Sequence, residues 1–347
     1  MDKDVVDYLI VGQGLAGSAM AMALLEQGAS VIVLDREDMN SASRVAAGLV
    51  TTVAGKGMNL SWRQAEYLPE AMAYYHQLEQ SSGQKLFHSQ ELLRLFDSEK
   101  RKVKFENKIE QLEGWVAEAN KEDLARWNSE HGGFVMLQGG WLDTNAYLEV
   151  VRDILGARYR VDDFSSSDLT HADDGIEYRG VSAKSIILCQ GVSGLTESNN
   201  LFSHVEHRSA KGEILRVKIE GQSQHQIISN NGWMVPVAKD EWRVGATYEW
   251  SDMEGETTAE GRAEVEKKLK VMTDRDYQII DHQAGVRPIM RKSQPYVGAH
   301  PDHPRVKFFN GLGSKGVISG PSVAKHFADH LVNGTELDPE LTLEKRL

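Results

Sequence analysis

Gly12, Gly14 and Gly17 stand at the spacing G-x-G-x-x-G, and Asp35 follows 21 residues after Gly14. Glycines so spaced let a backbone turn tightly and approach a pyrophosphate, and an acid about 20 residues on can accept hydrogen bonds from a ribose. The chemistry these residues can do is dinucleotide binding. Leu15 and Ala16 within the turn, and Arg36 beside the acid, belong to the same candidate site.

Such a turn works only between the right elements. Residues 7–11 (DYLIV) read as a buried strand, 18–27 as a helix, and 30–34 (SVIVL) as a second strand ending at Asp35. Gly12 permits the turn, Gly14 the approach to phosphate, and Gly17 close packing of helix on strand. The helix N-terminus offers unpaired N–H groups and a positive dipole end to an anion.

The chain has 347 residues, enough for about two domains. A net charge of −12 argues against a general affinity for nucleic acid or anionic membrane, which need basic surface. The single cysteine, Cys189, excludes an intramolecular disulfide and fits a reducing, cytoplasmic setting. It sits in the apolar run 185–189 (SIILC) and reads as a small core residue. The acidic start, MDKDVV, does not look like a signal peptide, and no apolar stretch is long enough to span a membrane.

Further along, 62–81 reads as a helix and 92–96 (LLRLF) as a strand. The charged stretch 98–128 reads as one helix with a solvated face, and 145–155 as another. The strand at 185–189 leads to Gly191. Segments 212–219, 233–237 and 242–248 alternate like members of an antiparallel sheet. A charged helix is expected at 258–272, and a terminal helix at 319–332, starting a little earlier and stopping at Asn333-Gly334.

Four segments in order resemble the D-amino-acid oxidase superfamily of FAD enzymes, and its glycine oxidase subgroup in particular. They are the N-terminal glycine turn, residues 41–50 (SASRVAAGLV), residues 284–288 with 295–298 (AGVRP and PYVG), and residues 310–321 (NGLGSKGVISGP). The oxidase half of the tRNA-modifying enzyme MnmC is another relative by the same motifs. The resemblance implies an α/β fold: a Rossmann-type FAD-binding domain interleaved with an α+β substrate domain built on an antiparallel sheet. It implies an FAD-binding domain from 1–80, 140–200 and 285–347, and a substrate domain from 81–139 and 201–284.

It also implies roles. Ser43 and Arg44 match the loop that wraps the pyrophosphate, and Ala46, Ala47 and Gly48 are small enough to lie against the isoalloxazine. Val161 matches a strand whose backbone meets the adenine, and Gly191 joins the cofactor site. Gly311, Gly313, Ser314, Lys315, Gly316 and Val317 match the turn facing the flavin's pyrimidine end, where a helix N-terminus favours negative charge. Arg287 matches the arginine that holds a substrate carboxylate beside the cofactor; a guanidinium suits a bidentate pair. Trp233 and Tyr248 match positions lining that pocket, where glycine oxidase carries tyrosine and methionine.

The activity implied is oxidation of a C–N bond in a small amine or amino acid, by hydride transfer to flavin N5 of non-covalent FAD, giving an imine that hydrolyses. No side chain is required as a catalytic base. Oxygen or another electron acceptor would complete the cycle; residues 245–248, where some relatives place an oxygen-assisting lysine, contain none. A tRNA-modifying flavoenzyme and a non-catalytic FAD- or NAD-binding protein are the alternatives, and the oligomeric state stays open. His326 and His330, and His300 and His303, have spacings seen in metal sites but lack a third ligand nearby in sequence, and no metal site is expected.

Overall fold

Leu9 and Val11 of the strand Asp4–Val11 pack into one hydrophobic cluster, while Tyr8 and Ile10 pack into another. A strand buried on both faces belongs at the middle of a parallel sheet covered by helices. The computed structural model, which describes residues 4–55, 57–172, 174–197 and 200–345, places it there. Five strands run parallel in the order Tyr159–Val161, Val31–Asp35, Asp4–Val11, Val181–Leu188 and Val306–Asn310. Three antiparallel strands extend the sheet to eight: Ile176–Tyr178, Leu169–His171 and Tyr296–Ala299.

Helix Leu15–Glu26 packs with Gly316–Asn333, Gln64–Ser82 and Thr144–Leu155 in one core with Ile10 and Val33. Thus the glycine turn and the last helix, almost 300 residues apart, meet at the same end of one sheet.

A second eight-stranded sheet is almost wholly antiparallel. Its order is Gln278–Arg287, Ala210–Lys218, Glu241–Gly245, Trp233–Ala238, Ile227–Ser229, Leu92–Leu95, Gly133–Met136 and Val116–Glu118. One face buries Leu215, Met234 and Trp242 against helix Ala259–Met272. The other looks toward the first sheet. The chain therefore carries an α/β fold whose parallel sheet is built from early, middle and late segments.

The stretch 98–128 is not one helix. It divides into helix Glu99–Glu106, a 3-10 turn Ile109–Leu112, strand Val116–Glu118 and a short helix Lys121–Leu124. Gly114 adopts φ +79, which helical backbone does not allow, and Val116 turns into a sheet core that needs an edge strand. The strand Gly133–Met136, which the sequence reading passed over, is the partner that draws it in. The loop at 37–48 contains a single helical turn, Ala42–Val45. Among the described residues, no helix is long and apolar enough to cross a membrane.

Candidate functional site

A cavity of about 1050 Å³ runs from the glycine turn to the inner face of the antiparallel sheet. At its nucleotide end, Gly12 has φ +95 and Gly17 sits so close to it that a Cβ would lie 1.8 Å from the Gly12 carbonyl oxygen. Ser43 Oγ accepts a hydrogen bond from Leu15 N at 3.0 Å, leaving the hydroxyl proton free to donate outward. Asp35 Oδ2 accepts from Gln13 N at 2.6 Å, and Oδ1 accepts from Glu37 N at 2.7 Å. These bonds fix the carboxylate at the end of its strand, beside the turn. Arg36 is exposed and pairs with Asp38 at 3.4 Å and Glu197 at 3.3 Å.

The middle of the cavity is walled by Arg44, Ala46, Ala47 and Gly48. Gly48 has φ +66, and a Cβ there would lie 1.9 Å from the Leu142 carbonyl oxygen. This thin strip is tied across to the antiparallel sheet: Arg243 Nη1 donates to the Ala46 carbonyl at 2.8 Å, and Thr144 Oγ1 donates to the same oxygen at 3.2 Å. Arg243 does not stand out in the sequence, because a lone arginine in an alternating strand carries no local signal.

At the far end, the turn into the last helix leans on the segment after Arg287. Gly313 N donates to the Pro288 carbonyl at 2.9 Å, and Ile289 bridges Leu312. Ser314, Lys315 and Gly316 therefore face the same space as Arg287. Lys315 Nζ donates to the Thr51 carbonyl at 2.9 Å and to Thr51 Oγ1 at 2.7 Å. Burial pushes its ammonium down to about 8, and the nearby charge of Arg94 adds to this.

The Arg287 guanidinium lies 4.7 Å above the Tyr248 ring and covers Gly212, where a Cβ would meet it at 2.0 Å. Among the described residues, its Nη1 is buried with no hydrogen-bond partner. Burial works against its charge, with Tyr248 acting the other way. An orphaned, buried guanidinium nitrogen at the end of a cavity is an anion site in waiting. Tyr248 O–H and Ser314 Oγ lie 3.2 Å apart, which ties this aromatic wall to the helix turn. Trp233 packs on Gly245, where no side chain would fit.

Most residues singled out from sequence line this one cavity: Gly12, Gly14, Leu15, Ala16, Asp35, Arg36, Ser43, Arg44, Ala46, Ala47, Gly48, Gly191, Trp233, Tyr248, Arg287, Gly313, Ser314, Lys315, Gly316 and Val317. Gly17 and Gly311 stand behind the wall, as packing glycines; a Cβ on Gly311 would strike Met290 at 2.2 Å. Val161 pairs with Asp35 and its side chain is exposed; residues 162–164 beside it line the cavity. His326 Nε2 accepts from Asp338 N, and His330 Nδ1 bonds the Thr335 carbonyl, so both brace the C-terminal segment. His300 and His303 lie tilted at 5.0 Å, and His303 stacks on His171 at 4.6 Å, away from the cavity.

The shape and chemistry fit a dinucleotide with a flat ring at one end. The glycine cradle and helix N-terminus suit the phosphates, the strip 46–48 suits a planar face, and the second helix N-terminus with Lys315 suits an electron-rich edge.

The chain matches the family model DAO, FAD dependent oxidoreductase, over residues 7–330. It is 22% identical over 352 residues to the bifunctional tRNA 5-methylaminomethyl-2-thiouridine biosynthesis protein MnmC of Marinobacter nauticus, covering 93% of this chain and 55% of that one. The chain thus spans about half the length of the curated relatives it matches first. Among solved structures, glycine oxidase from Geobacillus kaustophilus superposes with a TM-score of 0.83 at 18% identity, over 99% of this chain and 100% of that one. Iminodiacetate oxidase from Chelativorans sp. BNC1 superposes with a TM-score of 0.78 at 20% identity, over 98% of both. At these identities the superpositions speak for the fold.

Proposed function

Because the chain belongs to the DAO family of FAD-dependent oxidoreductases, we propose that it oxidises the C–N bond of a small amine or amino acid, with FAD held non-covalently along the cavity. FAD bound there would supply a hydride acceptor for the substrate carbon, leaving an imine that water would hydrolyse to a carbonyl and an amine or ammonia. The observation that carries this reading is the unpartnered Nη1 of Arg287, buried at the cavity's sheet end.

The chain's own residues bind and orient. In this reading residues 1–80, 140–200 and 285–347 form the FAD-binding body, and 81–139 with 201–284 form the substrate body. Gly12, Gly14, Ser43 and Arg44 hold the pyrophosphate, and Asp35 the ribose. Arg287 fixes the substrate carboxylate and so sets which C–H faces the cofactor. Trp233 and Tyr248 exclude water from that contact. Lys315 and the helix N-terminus behind it favour negative charge at the cofactor's pyrimidine edge.

Purified protein carrying FAD should lose its flavin absorbance on anaerobic addition of at least one of glycine, sarcosine, D-alanine, D-proline or the amines named below. Absorbance unchanged by the whole panel would count against amine oxidation. Admitting air afterwards separates an oxidase from a dehydrogenase. A second reading, a carboxymethylaminomethyl base in tRNA, is favoured by the match to MnmC over 93% of the chain. A net charge of −12 argues against it, and a tRNA shift assay at two salt concentrations separates the two.

A further inference from the structure

The cavity's cations are unevenly paired: Arg36, at the nucleotide end, meets Asp38 and Glu197, while among the described residues others have no acid paired with them, although Asp97 and Glu254 also line the wall. Asp35, Asp38, Asp162, Asp163 and Glu197 line its nucleotide end. At its sheet end stand Arg287, Lys315 and Arg94, and among the described residues none of the three has a carboxylate within ion-pairing distance. Among the described residues, the Lys315 ammonium is held by Thr51 alone. Among them, too, the Arg94 guanidinium donates only to the carbonyls of Val53, at 3.4 Å, and Gly55, at 3.0 Å. Asp97 shares this lobe but pairs with Arg101 at 3.4 Å. Uncompensated cations in a protein of net charge −12 mark a place where anions are expected from outside.

Lys315 answers the cofactor edge and Arg287 one carboxylate, which leaves Arg94. Its place in the sheet shows what it faces. Arg94 is in register with Ser229, Ser229 with Trp233, Trp233 with Gly245, Gly245 with Ile214, and Ile214 with Gln283. Directly opposed residues share a face, and so do residues two or four apart on one strand. Arg287, four beyond Gln283, is therefore on the same face of the sheet as Arg94, five strands away with Trp233 between them, and both line the cavity. The Arg287 side chain also reaches inward over Gly212 on the neighbouring strand, which shortens the gap.

We propose that the substrate is an amino acid bearing a second carboxylate, with one acid on Arg287 and the other on Arg94. This rests on the amine-oxidising reading above and names the substrate class within it. The oxidation itself is unchanged: a hydride leaves the carbon beside nitrogen for FAD, nitrogen loses a proton to water, and the second acid takes no part in the bond changes.

The test compares diacids with their own monoamides, which keep the shape and remove one charge. Suitable pairs are N-carboxymethyl-, N-carboxyethyl- and N-carboxypropylglycine with their monoamides, and aspartate and glutamate of both hands with asparagine and glutamine. Flavin reduction is followed anaerobically. Binding is read independently with oxydiacetate against methoxyacetate, ethers that have no amine to oxidise, through the shift of the flavin spectrum. At least one diacid should exceed its monoamide by about ten- to a hundredfold in kcat/KM, and oxydiacetate should bind tighter than methoxyacetate by a similar factor.

R94Q should bring both ratios close to one at wild-type FAD content, whereas R94K, which keeps the cation, should retain most of each. Bleaching by amines with no diacid preference at any arm length would overturn this proposal and leave the amine-oxidising reading standing. A preference that survives R94Q would also overturn it. No bleaching by any amine would instead remove the reading on which it rests.

Discussion

Replacing Gly17 with alanine should unseat the first helix and empty the cofactor site. The added Cβ would lie 1.8 Å from the Gly12 carbonyl oxygen and 3.4 Å from the Cys189 Cβ. A carbon and a carbonyl oxygen settle at about 3.3 Å or beyond, so helix and strand must part by about 1.5 Å. The obstacle is backbone, and Gly12 is itself held in place by its N–H on the Leu34 carbonyl at 2.7 Å. Overpacking of this kind costs about 1–3 kcal/mol, and a backbone obstacle places it near about 3. In a chain of 347 residues that corresponds to a melting temperature lower by about 4 °C.

Gly14→Ala is the matched control. Its Cβ meets only Ser43 Oγ, at 2.8 Å, and a serine side chain can rotate. G14A should melt close to wild type yet bind FAD more weakly, since the methyl and the displaced hydroxyl stand where the pyrophosphate must lie. Thermal unfolding of the apoproteins by circular dichroism, with FAD titrated separately, reads both effects. A G17A protein that melts within about 2 °C of wild type and binds FAD normally would refute the reasoning.

Lys315, pushed down to about 8, gives a pH effect of definite sign. Between about pH 8 and the usual lysine range near 10.4 the unfolded chain holds a proton that the folded apoprotein lacks, so this residue's contribution to stability rises with pH there; the difference in melting temperature between wild type and K315M across that window should show the rise, and a flat difference would contradict it. Lys211 and Glu213 are both 2% exposed, and Lys211 also ties Asp252 and the Glu256 carbonyl on the segment that carries Tyr248. K211M should therefore cost about 3 kcal/mol in urea unfolding and raise KM, and loss of neither would count against that tie. Burial pushes the Cys189 thiol well up, so thiol reagents should label it only as the protein unfolds; rapid labelling of the native protein would contradict the packing.

The nucleotide end was readable because its signals are local. Gly12, Gly14, Gly17 and Asp35 lie within one strand–helix–strand unit; Gly12 and Gly17 answer to backbone constraints that only glycine meets, and Asp35 accepts from the backbone of the same unit. The sheet end was readable only in part. Trp233, Tyr248 and Arg287 came from resemblance, and the structure brings them to one cavity through strand register that no short window of sequence contains. Arg94 and Arg243 look like ordinary strand arginines in sequence; their meaning lies in carbonyls 39 to 197 residues away. The stretch 98–128 misled because a high density of Lys and Glu favours helix locally, while Gly114 and the open edge of Gly133–Met136 decide otherwise.

The most direct test of the central claim is anaerobic reduction of wild type and Arg287→Met, at equal FAD content, by whichever amine bleaches the wild type. Two charge-assisted hydrogen bonds to one carboxylate predict that R287M needs at least about a hundredfold more substrate for the same rate of bleaching, with the bound flavin spectrum retained. Equal rates at equal amine concentration would contradict the placement of the substrate on Arg287, and a protein that neither carries FAD nor takes it up would contradict the account at its root.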